Sequence, residues 1–104
     1  MKKLTDKQHD ELFFYLEREL KKLEEVFKKV KIKKDLDAFK LAKSYFQDSK
    51  HFYEKKEYVK SFELVNYVWG ILDALAIHTE MTVPKEIQKW FKSDFNKDTE
   101  QQCF

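Results

Sequence analysis

The chain has 104 residues, 42% of them hydrophobic and 38% charged, with 21 basic side chains against 19 acidic ones. That length predicts one domain, and a formal net charge of +2 is too close to balance to predict a nucleic-acid or membrane binder. One Gly, one Pro and one Cys exclude a phosphate-binding glycine loop, a turn-rich fold of strand hairpins and an internal disulfide.

Arg18 is the only arginine among the basic residues. Base readout and bidentate phosphate clamps favour arginine, so this composition weakens a nucleic-acid reading. The lone Cys103 sets a reducing, cytoplasmic compartment as the expectation. Met1-Lys2-Lys3 is followed by Leu4 and then polar residues, which is not a signal peptide. The apolar stretch Val65 to Ile77 contains Asn66 and Asp73 and is too short to span a bilayer.

Thr5-Asp-Lys-Gln8 reads as a capping box. From it, Phe13, Leu16, Leu20, Leu23, Phe27 and Val30 recur at alternating steps of three and four, a helical stripe with a bundle-like period. Glu17-Lys21, Glu24-Lys28 and Glu25-Lys29 lie off the stripe as i,i+4 pairs. The spacing predicts helix 1 over about residues 6–31. Lys28 to Lys34 is the most basic run. It reads as a helix C-terminus, where cations suit the dipole, followed by a solvated connector; the alternative is a phosphate or anionic-lipid patch.

Helix 2 is predicted from about Leu36 to Lys55, with Phe39, Ala42, Phe46, Ser49 and Tyr53 as its stripe. Helix 3 follows from about Tyr58 to Ile77, with Phe62, Val65, Trp69, Leu72 and Ala76. The short connection makes these two helices antiparallel neighbours. Gly70 inside helix 3 costs about 1 kcal/mol relative to Ala, so a close helix–helix approach beside Trp69 is the expected reason to keep it. Thr82-Val-Pro84 opens a last short helix, with Thr82 or Val83 as cap and Pro84 in its first turn. Ile87, Trp90, Phe91 and Phe95 give it one apolar side. Residues 96–104 show no periodicity and are expected to form a flexible tail.

Two segments carry a family resemblance. One runs Ala42-Lys-Ser-Tyr45-Phe46-Gln-Asp48-Ser-Lys-His-Phe52, and the other is Tyr67-Val-Trp69-Gly70-Ile-Leu72-Asp73-Ala74. With the Glu57 to Glu63 stretch between them, they resemble the archaeal domain of unknown function numbered 357. The likeness runs from the last third of helix 1 through helix 3. It implies a three-helix up-and-down bundle, an archaeal source and no assigned activity. The chain departs from the family pattern at two places. Lys55-Lys56-Glu57 stands where the family tends to have Lys-Gly-Asp, and Leu-Ala-Ile-His78 follows Ala74 where a glycine is expected. Ser49, Phe52, Tyr58, Ser61 and Val65 also fall near the spacing of one tetratricopeptide unit, but a single unit cannot bury its own face. Helical toxin-type ribonucleases need an Arg with a His four to six residues on, and Arg18 has none.

No catalytic constellation emerges. Asp48 and His51 are the best metal-ligand pair, and a di-metal bundle needs such a pair twice. No catalytic, cofactor-binding or metal residue is therefore expected. Asp48, Trp69 and Asp73 form a candidate polar pocket. The alternative is that the two carboxylates pair with Lys or Tyr, or anchor backbone NH groups, since an unpaired buried carboxylate is costly. Gln88, Trp90, Phe91 and Phe95 form a candidate interaction segment, with half of a sliding-clamp-binding pattern in which Phe91 stands in for the aliphatic residue. The alternative is that they pack as a fourth helix.

The expected fold is all-α: an antiparallel three-helix up-and-down bundle with a short fourth C-terminal helix, in one domain over residues 1–95. The expected function is a non-enzymatic interaction module that binds a protein partner or a second copy of itself, with no membrane association. The alternative is an accessory factor in nucleic-acid metabolism, using residues 28–34 or 88–95.

Overall fold

The computed structural model of the chain describes residues 4–92. Three long helices make the body: α1 (Asp6–Lys29), α2 (Asp37–Glu54) and α3 (Tyr58–Ile77), with one helical turn, α4 (Lys85–Gln88), packed at the end. The order and packing are those of an antiparallel three-helix bundle with a short fourth helix. The predicted bounds of α3 coincide with the observed ones, and those of α1 and α2 differ by one or two residues at their ends.

α1 starts as its first residues dictate. The Thr5 hydroxyl accepts from the Gln8 amide at 3.1 Å, and the Gln8 side-chain oxygen accepts from the Thr5 amide at 2.9 Å, closing the capping box. Leu16, Leu20, Leu23 and Val26 face inward. They meet Ala42 and Phe46 of α2 and Val65, Val68 and Leu72 of α3 in one core. Each fully buried aliphatic side chain of this kind contributes about 1.5–3 kcal/mol. Around the core, Phe27 stacks on Phe46 at 5.1 Å and meets Phe39 edge-on at 5.6 Å. Of the i,i+4 pairs on α1, Glu17–Lys21 closes at 3.3 Å and Glu25–Lys29 at 3.4 Å. Glu24 instead reaches across to Lys50 of α2 at 3.5 Å.

The close approach of α2 and α3 lies at Ser49 and Ser61, both fully buried. The Ser61 hydroxyl donates to the Ser49 carbonyl at 2.8 Å, and the Ser49 hydroxyl donates to its own helix at Phe46 at 2.7 Å. Small side chains with satisfied hydroxyls let the two backbones near each other without leaving a buried polar group unpaired. This corrects the expectation for Gly70. It is exposed, and a Cβ added there would meet nothing within 4 Å. No helix within the bundle packs against it.

α2 and α3 end alike. After α2, the Glu57 amide donates to the Phe52 carbonyl and the Lys56 amide to Tyr53. After α3, the Glu80 amide donates to Leu75 and the Thr79 amide to Ala76. Both are Schellman motifs, which require a left-handed residue one past the cap. Those residues are Lys56, at φ 64°, and Thr79, at φ 57°. Lys56 stands where the resemblance to the family pattern leads one to expect glycine, and Thr79 lies one residue past the Leu75 to His78 stretch where the other glycine is expected.

A small two-stranded sheet was not foreseen. β1 (Lys31–Ile32) pairs antiparallel with β2 (Met81–Thr82), Lys31 opposite Thr82 and Ile32 opposite Met81. The Lys33 amide extends the ladder to the Glu80 carbonyl at 3.1 Å. The end of the basic run is thus backbone-paired rather than a free connector, and the ladder fixes the segment after α3 beside the α1–α2 connection. Met81, Val83, Ile87 and Phe91 are all buried from there on. The start of α4 also differs from expectation. Thr82 belongs to β2, and Pro84 itself is the N-cap, with no side-chain capping bond.

Candidate functional site

Two regions bear on function: a polar cluster on the α1 side of α3, and the outer face of the α2–α3 pair.

The polar cluster is built around Glu19, only 7% exposed. It sits on α1 between Leu16 and Leu23, so the helical period carries it into the interface. One carboxylate oxygen accepts the Trp69 indole NH at 3.0 Å. The other takes the Arg18 guanidinium at 3.0 Å and the Lys22 ammonium at 3.3 Å. A buried carboxylate is tolerable when its lone pairs are filled in this way. Phe91 meets Trp69 edge-on at 5.4 Å, with the ring planes at 89°. Lys22 approaches the Trp90 ring at 6.0 Å. Asp73, one turn along from Trp69, accepts the Lys92 amide at 2.9 Å. Burial raises the Tyr15 hydroxyl above its ordinary pKa, with the Glu19 charge as the second cause. The cluster ties the C-terminal segment to the bundle and leaves no carboxylate aimed into an open cavity.

The expected polar pocket is therefore not assembled. Trp69 and Asp73 share this cluster, but Asp48 is exposed on α2. Asp48 adjoins Ser49, which bonds to Ser61, and Asp73 lies twelve residues beyond Ser61 on α3. At 1.5 Å per residue that is about 18 Å along the helix. The expected interaction segment is also placed differently. Phe91 is 6% exposed and belongs to the core, and the Gln88 side-chain amide donates to the Val83 carbonyl at 3.0 Å. Trp90 is half-buried against the core, and Phe95 lies outside the described residues. An aromatic used as a core anchor is not available as a free docking side chain.

Sequence reasoning missed Glu19. The available signal was its position in the apolar stripe of α1, together with the need of a half-buried Trp indole for an acceptor. Among the described residues no three His, Cys, Asp or Glu side chains are grouped so as to hold a metal ion. None of the described helices is long and apolar enough to cross a membrane. A groove of about 460 Å³ between the first turns of α1 and α3 is lined by Leu4, Leu12, Tyr15, Val59 and Phe62, with Gln8 and Glu11 at its rim.

The outer face of α2 and α3 is the other region. α3 buries Ser61, Val65, Val68, Leu72 and Leu75. On its far side Tyr67 is 61% exposed and Ile77 62%, with Gly70 and Ala74 exposed between them. Tyr45 of α2 touches Tyr67 at 5.9 Å, ring to ring, and joins this stripe to Leu41, which is 46% exposed.

The model of the family described as "Protein of unknown function (DUF357)" matches residues 13–79, about two thirds of the chain. The chain belongs to DUF357. The matched span takes in the body of α1 and the whole of α2 and α3, including the outer face and most of the Glu19 cluster. The β2–α4 segment that completes the cluster lies beyond it. No curated protein and no solved structure matches the chain.

Proposed function

We propose that this DUF357 protein is a non-enzymatic interaction module whose docking surface is the outer face of α2 and α3. One observation carries the reading. The chain is 38% charged, yet from Leu64 to Ile77 only Asp73 carries a charge, and that side chain is engaged with the Lys92 backbone. A solvent-facing helix surface normally takes charged residues at little cost in stability, and a contiguous exposed apolar patch marks a contact site. The C-terminal aromatics, the first candidates by sequence, have a packing role that leaves this face as the better-supported surface. A nucleic-acid role for residues 28–34 has weaker support. Lys29 is shared between Glu25 and Glu86, at 3.4 and 3.9 Å, and the run carries no arginine for a bidentate phosphate clamp.

The test is chemical crosslinking in the source cells, which holds even a weak assembly, with the products sized on a denaturing gel and detected by antibody. The wild-type chain is expected in an assembly larger than the free chain, and Ala74→Arg with Tyr67→Lys is expected to release it. Migration as the free chain alone, or a crosslinked assembly indifferent to both substitutions, would remove the basis for the proposal.

A further inference from the structure

Resting on that reading, we infer that the occupant of the outer face is a second copy of this chain, docked antiparallel through α3. The stripe Tyr67, Gly70, Ala74, Ile77 is close to self-complementary. A two-fold axis passing between Gly70 and Ala74 sets each bulky end, Tyr67, against the opposite bulky end, Ile77, of the other copy. The two small residues then meet at the middle, where helix backbones can come close. Such an isologous contact uses one patch twice and closes without leaving a free edge.

The charges at the two ends select this direction. At the end nearer the α2–α3 turn, Asp48 lies one turn beyond Tyr45 and Glu63 one turn before Tyr67, both exposed. At the other end, where α3 finishes, Lys33 and Lys34 are exposed, and Lys33 is fixed there by the hydrogen bond that its backbone NH donates to the Glu80 carbonyl. Some of the other charges near the patch are already matched, and Glu80 beside Lys33 is half-buried. Lys60 pairs with Glu57 at 3.6 Å and Asp35 with Lys40 at 3.0 Å, while Asp37 lies in the first turn of α2, which favours an anion. Antiparallel docking brings the acidic end of each copy to the basic end of the other. Parallel docking would set like charges together.

The size of the face sets the strength of the contact. From Tyr67 to Ile77 is about 15 Å of helix at 1.5 Å per residue, and the neighbouring α2 axis lies about 8–10 Å to the side. That is a patch of roughly 300–600 Å², so the two copies together bury less than a stable dimer's roughly 1,200–2,000 Å². The dimer is a weak, reversible one. No charged side chain has to be desolvated at its centre.

Sedimentation velocity of the purified full chain, from micromolar to millimolar concentration, tests this. The expected result is a monomer that gives way to dimer as concentration rises. Ala74→Arg and, separately, Ile77→Lys should each weaken dimerisation at least tenfold while leaving the helical circular dichroism unchanged; both sites are exposed, so folding is not at stake. Lys33→Glu with Lys34→Glu should also weaken it, and adding Asp48→Lys with Glu63→Lys to that variant should restore it, because the end charges are then exchanged. A chain that stays monomeric throughout, or a dimer untouched by both Ala74→Arg and Ile77→Lys, overturns self-pairing. So does a charge exchange that fails to restore what the two lysine substitutions removed. If the purified chain is monomeric but the crosslinked assembly still depends on Ala74, self-pairing alone has failed and the docking surface stands.

Discussion

Thr79 occupies the left-handed position that ends α3, and replacing it with glycine should stabilise the protein. Left-handed backbone costs an L-residue about 1–2 kcal/mol, and a β-branched residue sits at the upper end because its Cβ substituents crowd the backbone. Glycine removes that cost but loses about 0.5–1 kcal/mol more chain entropy on folding. The Thr79 hydroxyl donates to the His78 carbonyl at 2.6 Å on the exposed surface, where water replaces the bond with little loss. The balance for Thr79→Gly is a gain of about 1 kcal/mol, or roughly 4–8 °C in Tm for a domain of this size. Thr79→Ala separates the contributions. It removes the hydroxyl and keeps the left-handed cost, so its stability should stay within about 0.5 kcal/mol of wild type. Urea unfolding followed by circular dichroism measures all three proteins, at a low enough concentration that they are monomers. A glycine variant no more stable than the alanine variant would refute the reasoning, since the strain assigned to Thr79 would then be absent.

Lys56→Gly should act in the same direction at the end of α2, with a smaller gain of about 0.5 kcal/mol, because lysine is unbranched at Cβ; the same urea series reads it. Gly70→Ala should stabilise the dilute monomer by up to about 1 kcal/mol, because the new methyl group meets nothing. At concentrations where the dimer forms, the gain in Tm should shrink as the added methyl groups push the two helices apart. Phe91→Ala should cost about 3–5 kcal/mol, because Phe91 is a buried core residue in contact with Trp69. Thermal unfolding monitored by tryptophan fluorescence reads that loss, and a variant of unchanged Tm would place Phe91 at the surface after all.

The long helices were legible because each repeats its apolar residues over many turns. Leu16, Leu20 and Leu23, and Val65 and Leu72, were read as core and are core. The Thr5 capping box was legible for the same kind of reason: a local motif that needs nothing distant. What escaped were features made by distance. β1 and β2 have two residues each, too few to show a period, and they pair only because the bundle brings residues 31–32 beside 81–82. Glu19 is buried because Trp69, fifty residues on, supplies its donor. Asp48 and Asp73 look alike in sequence, each a carboxylate among apolar neighbours. One faces water and the other holds the Lys92 backbone, a difference set by what lies across from each helix.

The placement of glycine joins the fold to the proposed surface. The two positions with positive φ among the described residues are filled by Lys56 and Thr79, while the single glycine sits in the middle of α3 at an ordinary helical conformation. If stability alone governed the choice, the glycine would move to a helix end and alanine would take position 70. Those changes together are worth about 2 kcal/mol by the reasoning above, a large share of the roughly 5–15 kcal/mol by which small domains are stable. Nothing among the described residues compensates, since a Cβ at Gly70 would meet none of them within 4 Å. A helix that forgoes a methyl group on its solvent side, between an exposed Tyr67 and an exposed Ile77, has the shape of a surface meant to be approached closely from outside.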